Sequence, residues 1–248
     1  MEIIEIKDVL KLVLNSKFIG YGSTCFCFLM PNGDVLKLFR DTYNKNKLFL
    51  SRKMPDHLYL LNTLNNDSYR GPEKIFMCDN LIIGYSYKYI HAKTLANIKK
   101  NISTNEIVKS LDKLIEDTYL ISDKRFLLGD LHDKNILYQK VFSIIDLDYG
   151  LINGTSAIDE ITQANIHYLL KIILNSLLDV EIDEIIHIYS LELQKLYDKT
   201  VYEDYHYVQE FFDAICEELK TKDLTVGKLK RNRYKLAYKT QNSYFKLD

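Results

Sequence analysis

An aspartate and an asparagine five residues apart, followed by a carboxylate closing an apolar run, form the most chemically suggestive stretch of this chain. It reads Phe126-Leu-Leu-Gly-Asp130-Leu-His-Asp-Lys-Asn135-Ile-Leu-Tyr138 and leads to Ile144-Ile-Asp146-Leu-Asp148-Tyr-Gly150. Hard oxygen donors such as Asn135 and Asp146 suit Mg²⁺, and a loop carboxylate such as Asp130 can orient a hydroxyl and take its proton. Together they can hold metal ions and aim a hydroxyl at a phosphate, the geometry of phosphotransfer. Asp148 either joins that metal shell or stays solvated. His132 either reaches the phosphate or supports the loop.

Such residues need elements to position them. Phe18-Ile-Gly20-Tyr21-Gly22-Ser23-Thr-Cys25-Phe-Cys27 precedes Pro31-Asn-Gly-Asp34 and Val35-Leu-Lys37-Leu-Phe39, a pattern of three antiparallel strands joined by two turns. Gly20 and Gly22 let backbone N–H groups approach phosphate oxygens, and Lys37 on the third strand reaches the same phosphates. Gly-x-Gly alone also fits a tight hairpin. Met54–Leu64 repeats apolar residues at helical spacing, Lys74–Ile90 reads as a strand, an Asp79-Asn80 turn and a tyrosine-rich strand, and a helix opens at Ser103-Thr104 with Glu106 behind it. Helical periodicity continues from Ile161 to Leu178, from Ile182 to Leu196 and from Val208 to Leu219. Residues 1–14 settle between neither helix nor strand. The hydrophobic period changes from two to 3.6 near Ile90, giving an α+β chain with a β-rich part, residues 1–90, and a helical part, residues 91–248.

The chain has 248 residues, 47% of them apolar, enough for one two-part unit with a proper core. A formal net charge of −1 provides no global field for nucleic acid or an anionic membrane. The first residues are acidic rather than basic and no run reaches membrane-spanning length, so neither a signal peptide nor a membrane anchor is expected. Cys25, Cys27, Cys78 and Cys216 lack metal-ligand spacing and read as reduced, packed thiols of a cytoplasmic protein. The basic run from Lys228 through Lys239 reads as a solvated surface helix, with an acidic partner or substrate as the alternative.

Asp130, Asn135 and Asp146, with Lys37 before them, resemble the catalytic loop and metal-binding strand of the protein-kinase-like superfamily. Gly-Asp-Leu-His is closer to the wording of aminoglycoside and choline phosphotransferases and other atypical kinases than to that of eukaryotic protein kinases. The resemblance covers roughly residues 17–180. It implies a two-lobed fold, with an N-terminal antiparallel β-sheet lobe bearing one helix and a C-terminal, mainly helical lobe. It also implies ATP and Mg²⁺ as cofactors. Asp130 would be the catalytic acid-base group, Lys37 would position phosphates under a loop of Gly20, Tyr21, Gly22 and Ser23, and Asn135 and Asp146 would hold the metal. Lys88 and Ile90 would offer main-chain groups to adenine, with Tyr87 as gatekeeper. Asp56 serves either as the helix carboxylate that pairs with Lys37 or as a helix N-terminal acid after Pro55. The third glycine of the loop is replaced by Cys25 and its usual valine by Cys27. The segment after Gly150 is too short for a peptide platform. The expected function is ATP-dependent transfer to a hydroxyl of a protein or small molecule. A pseudokinase scaffold and AMP transfer are the alternatives.

Overall fold

The computed structural model describes residues 2–3, 6–22, 24–40, 58–64, 66–78, 81–179, 186–188 and 190–239. Ser23, Asp56 and the Asp79-Asn80 turn lie outside this set, and Asp148 is described in its backbone only. The chain is α+β. Its N-terminal part opens with β1 (Glu2–Ile3) and α1 (Ile6–Leu14), then β2 (Lys17–Tyr21), β3 (Cys25–Leu29) and β4 (Asp34–Phe39). Helix α2 over 58–63, β5 (Lys74–Cys78) and β6 (Leu81–Lys88) complete it. One sheet runs β1-β5-β6-β4-β3-β2, antiparallel throughout except that the short β1 lies parallel to β5.

Strand periodicity sorts this sheet into two faces. Leu36 packs with Met30 and Phe76, and Leu12 and Val13 of α1 close over that cluster. The opposite face is brought into line by register: Cys27 pairs Lys37, Lys37 pairs Tyr85, and Val35 pairs Tyr87. The β3–β4 turn is set by Gly33 at φ 83° and by Asn32, whose side-chain oxygen accepts from Asp34 N–H at 3.1 Å.

The C-terminal part contains β7 (Lys93–Thr94), a 3₁₀ turn at Leu95–Asn97, α3 (Thr104–Asp123), β8 (Phe126–Leu127), β9 (Ile136–Gln139), β10 (Val141–Ile144), β11 (Leu151–Ile152) and α4 (Ile158–Leu177). It ends with β12 (Ile186–Ile188), α5 (Leu191–Tyr202), α6 (Tyr207–Glu218), α7 (Val226–Leu236) and β13 (Ala237–Lys239). Helix α3 starts as the sequence signalled, through a reciprocal capping box between Ser103 and Glu106. Among the described residues no helix is long and apolar enough to cross a membrane.

One expectation fails. Of the Ile182–Leu196 run, 182–185 and 189 lie outside the described residues, and the rest is not one helix: α5 begins at Leu191, and Ile186–Ile188 pair antiparallel with Ala237–Lys239. Short β-branched runs satisfy helical and strand periods alike, and here a partner strand from far along the chain decides. The basic tail is a helix, α7, but not a wholly solvated one, since Val226, Gly227, Leu229 and Leu236 are buried.

The two parts share one core. Leu58, Leu61, Ile75 and Tyr85 belong to the same apolar cluster as Leu114, Phe142 and Ile144. Residues 66–70 stitch them together: Ser68 C=O accepts from Ile144 N–H at 2.5 Å and Arg70 N–H donates to Ile144 C=O at 3.2 Å. Ser68 N–H in turn donates to the buried Asp117 carboxylate at 3.0 Å. The Tyr69 hydroxyl meets Thr118 Oγ1 at 2.7 Å.

Burial holds the Tyr69 and Tyr197 phenols well above their ordinary range, and a hydrogen bond with Cys25, then burial, does the same for the Cys27 thiol. The folded chain therefore keeps protons that the unfolded chain releases above the usual values of 9.0 for a thiol and 10.0 for a phenol. Their ionisation leaves stability untouched at neutral pH and lowers it as pH rises through those values, by about 1.4 kcal/mol per pH unit for each fully ionising group. Tyr69→Phe should cost about 1 kcal/mol at neutral pH yet flatten the alkaline decline. Urea midpoints across the alkaline range check this, and an unchanged slope in the variant would contradict it.

Candidate active site

A cleft of about 800 Å³ opens between the sheet and the C-terminal part. Its roof is the sheet face set out above, with Cys25, Cys27, Val35, Lys37 and Tyr87, and the Gly20–Gly22 segment at its edge. Its floor includes Asp130, His132, Lys134, Asn135 and Asp146. Residues from distant parts of the chain thus converge on one space. Their connection is direct: the Lys37 ammonium forms an ion pair with the Asp146 carboxylate. Lys37 is 3% exposed and Asp146 34%. The Lys37 ammonium also stands 5.5 Å from the centroid of the Tyr85 ring.

Two floor aspartates adopt left-handed backbone, Asp130 at φ 47° and Asp146 at φ 63°. This region is uncommon for residues other than glycine, although aspartate enters it more readily than most. Such conformations persist only where the surroundings enforce them. Asn135 supplies part of that enforcement. Its N–H donates to His132 C=O at 2.9 Å, its C=O accepts from Ile145 N–H at 2.9 Å, and its side-chain amide donates to Asp130 C=O at 3.3 Å. The loop bearing Asp130 is thereby tied to the segment that follows β10 and carries Asp146. The amide donation leaves Asn135 Oδ1 as an acceptor. His132 Nδ1 accepts from Lys134 N–H at 3.2 Å, which places the proton of the neutral ring on Nε2.

Helix α4 holds the other side of the loop with two residues that sequence reading passed over. Asn165, 1% exposed, accepts from Leu128 N–H at 2.8 Å and donates to Phe126 C=O at 2.8 Å and to Ser122 Oγ at 3.0 Å. Tyr168 OH accepts from Leu131 N–H at 3.2 Å and donates to Leu131 C=O at 3.1 Å. Asp130 is therefore clamped on both flanks. The signal was an amide in the middle of an apolar helix, a residue that burial tolerates only when its polar atoms are satisfied. Gly129 has its own reason: a Cβ there would run into the Tyr149 carbonyl oxygen, so only glycine lets the loop approach the turn that follows Asp146.

At the roof edge, a Cβ on Gly20 would meet nothing within 4 Å, so its backbone borders open space. Gly22 differs, because its N–H already donates to Cys25 C=O at 3.0 Å. Tyr87, Tyr89 and Ile90 line the cleft where β6 ends. Lys88 does not bring its side chain there: the ammonium reaches the buried Asp34 carboxylate at 2.6 Å and Glu73 at 3.5 Å. Compared with known proteins, the chain matches no family model and no curated protein.

Asn165→Ala would remove three buried hydrogen bonds and should lower the unfolding free energy by about 2–4 kcal/mol, whereas Tyr168→Phe should cost about 1 kcal/mol or less. Gly129→Ala should be at least as damaging as Asn165→Ala. Denaturant titrations check the order, and a neutral Gly129→Ala would contradict the close approach.

Proposed function

We propose that this chain is an ATP-dependent phosphotransferase with a protein-kinase-like fold, moving the γ-phosphate of ATP to a hydroxyl. One observation carries the reading: Lys37 from the sheet and Asp130, Asn135 and Asp146 from the helical part line one cleft beneath the Gly20–Gly22 segment. Tyr87, Tyr89 and Ile90, where β6 ends, line the same cleft and would hold the adenine.

Among the described residues no group of three or more His, Cys, Asp or Glu side chains could hold a metal ion. One amide oxygen and one carboxylate nevertheless suit Mg²⁺, which takes one or two protein oxygens and fills its shell with water and phosphate oxygens. Bound there, Mg²⁺ would neutralise charge on the phosphates. Lys37, paired here with Asp146, would hold phosphate oxygens when nucleotide is bound, and Asp146 with Asn135 would hold the metal. Asp130, exposed at the cleft floor, orients the acceptor hydroxyl and takes its proton. The clamp from Asn165 and Tyr168 fixes where that carboxylate stands. The reaction centre then loses little freedom when the acceptor arrives.

A nucleotide-binding scaffold without turnover is the second reading. It is favoured by Gly22, whose committed N–H leaves one donor fewer for phosphate. Hydrolysis or transfer of γ-labelled ATP separates the two. Asp130→Asn should lower turnover by about 10²–10⁴-fold while nucleotide still binds. Asp146→Ala should remove the Mg²⁺ dependence of binding. Binding without turnover in the wild type would favour the scaffold. Absence of Mg²⁺-dependent nucleotide binding would overturn both.

A further inference from the structure

The segment that stitches the two parts together, residues 66–70, continues through Gly71, Pro72 and Glu73 toward β5 and shapes a second cavity against the end of α2, of about 350 Å³. No residue lining it also lines the active-site cleft. Gly71 lets the segment close on the helix, because a Cβ there would run into the Leu61 carbonyl oxygen. Asn62 of α2 fastens it by donating its side-chain amide to Pro72 C=O at 2.5 Å and to Glu73 C=O at 3.3 Å. At the other end Tyr69 N–H donates to Asn66 Oδ1 at 2.7 Å. The walls are thus held by bonds of their own, and the volume suits a small molecule.

Two opposite charges line this cavity without meeting. Among the described residues the Arg70 side chain forms no hydrogen bond or ion pair, and its Nε is buried with no acceptor. Glu73, 42% exposed, reaches Lys88 through Oε2 at 3.5 Å, while Lys88 makes its closer contact, 2.6 Å, with the buried Asp34 carboxylate. Glu73 Oε1 is left to accept. The two amides complete the pattern: with Asn62 Nδ2 and Asn66 Oδ1 committed, Asn62 Oδ1 remains as an acceptor and Asn66 Nδ2 as a donor. A buried donor without an acceptor is costly to keep, and a guanidinium matches the paired oxygens of a carboxylate or phosphate. An anion alone would face Glu73, and a cation alone would face Arg70. A ligand with both charges satisfies the two together.

We propose that this cavity binds a small zwitterion, a molecule with an ammonium and a carboxylate or phosphate group, its anionic end on Arg70 and Asn66 and its ammonium on Glu73 and Asn62. The site is independent of the phosphotransfer reading, since it shares no residue with that cleft. It nevertheless lies on a segment that matters to the cleft. Arg70 N–H donates to Ile144 C=O at 3.2 Å, two residues before Asp146, so an occupant braces the backbone from which Asp146 is held.

The test is calorimetric titration of the full chain with glycine, β-alanine, γ-aminobutyrate and O-phosphoethanolamine, beside acetate, propionate, inorganic phosphate and ethylamine at matched ionic strength. At least one zwitterion should bind at least about tenfold more tightly than the acids and the amine alone. The first three probes vary the separation of the charges, and the fourth shows whether phosphate is preferred to carboxylate. Arg70→Gln and Glu73→Gln should each weaken that binding at least about tenfold, with circular dichroism checking the fold. Asn66→Asp keeps the acceptor for Tyr69 N–H yet sets a carboxylate against the ligand's anionic group, so it should weaken binding while leaving the segment in place. In nuclear magnetic resonance spectra the Arg70 Nε–H signal should move as the zwitterion saturates the protein. Acid or amine binding as tightly as the zwitterion, binding that survives both Arg70→Gln and Glu73→Gln, an unmoved Arg70 signal, or no binding of any of the four zwitterions would overturn the proposal.

Discussion

The ion pair between Lys37 and Asp146 is the constraint on which the rest of the site depends. An ammonium with 3% exposure costs several kcal/mol to bury unless a carboxylate compensates it. Lys37 is fixed in the centre of the sheet by β3 on one side and β6 on the other, so it cannot retreat to solvent. The segment that follows β10 and carries Asp146 must therefore come to it. Ser68 and Arg70 bring it there by bonding to Ile144, two residues earlier. The pair joins the halves of the molecule at the same point where the cleft forms.

The floor is held in an unfavourable backbone shape by favourable interactions around it. Left-handed conformations at Asp130 and Asp146 each cost of order 1–3 kcal/mol. Asn135, Asn165 and Tyr168 offset this with hydrogen bonds to the backbone on either side of Asp130. None of the three bonds goes to a carboxylate oxygen of Asp130. The arrangement fixes the backbone that carries the carboxylate and leaves the group itself at the cleft surface.

Much of this was legible in the sequence because it is local. Alternating Cys25, Cys27, Val35 and Lys37 specify a strand face, Ser103 with Glu106 specifies a helix start, and the Asp130–Asn135 spacing specifies a loop worth attention. What stayed hidden depends on contacts between segments far apart in the chain. Nothing near Ile186 announces that Ala237–Lys239 will pair with it, and residues 1–14 become β1 and α1 only because β5 and the Met30–Leu36–Phe76 cluster receive them. The basic tail illustrates the same limit. Its charge was plain, but its seat against the Lys100 carbonyl follows from Gly227 and tertiary packing, not from any pattern within the tail.

The central claim is that Lys37 and Asp146, paired to each other in this structure, serve one Mg-nucleotide together. Calorimetric binding of Mg-ADP to the wild type, Lys37→Ala, Asp146→Ala and the double variant tests it most directly. The account expects each single change to weaken binding at least about tenfold and the double change to be little worse than either, because two residues acting on one ligand do not contribute independently. Full additivity, or unaltered binding in either single variant, would contradict it.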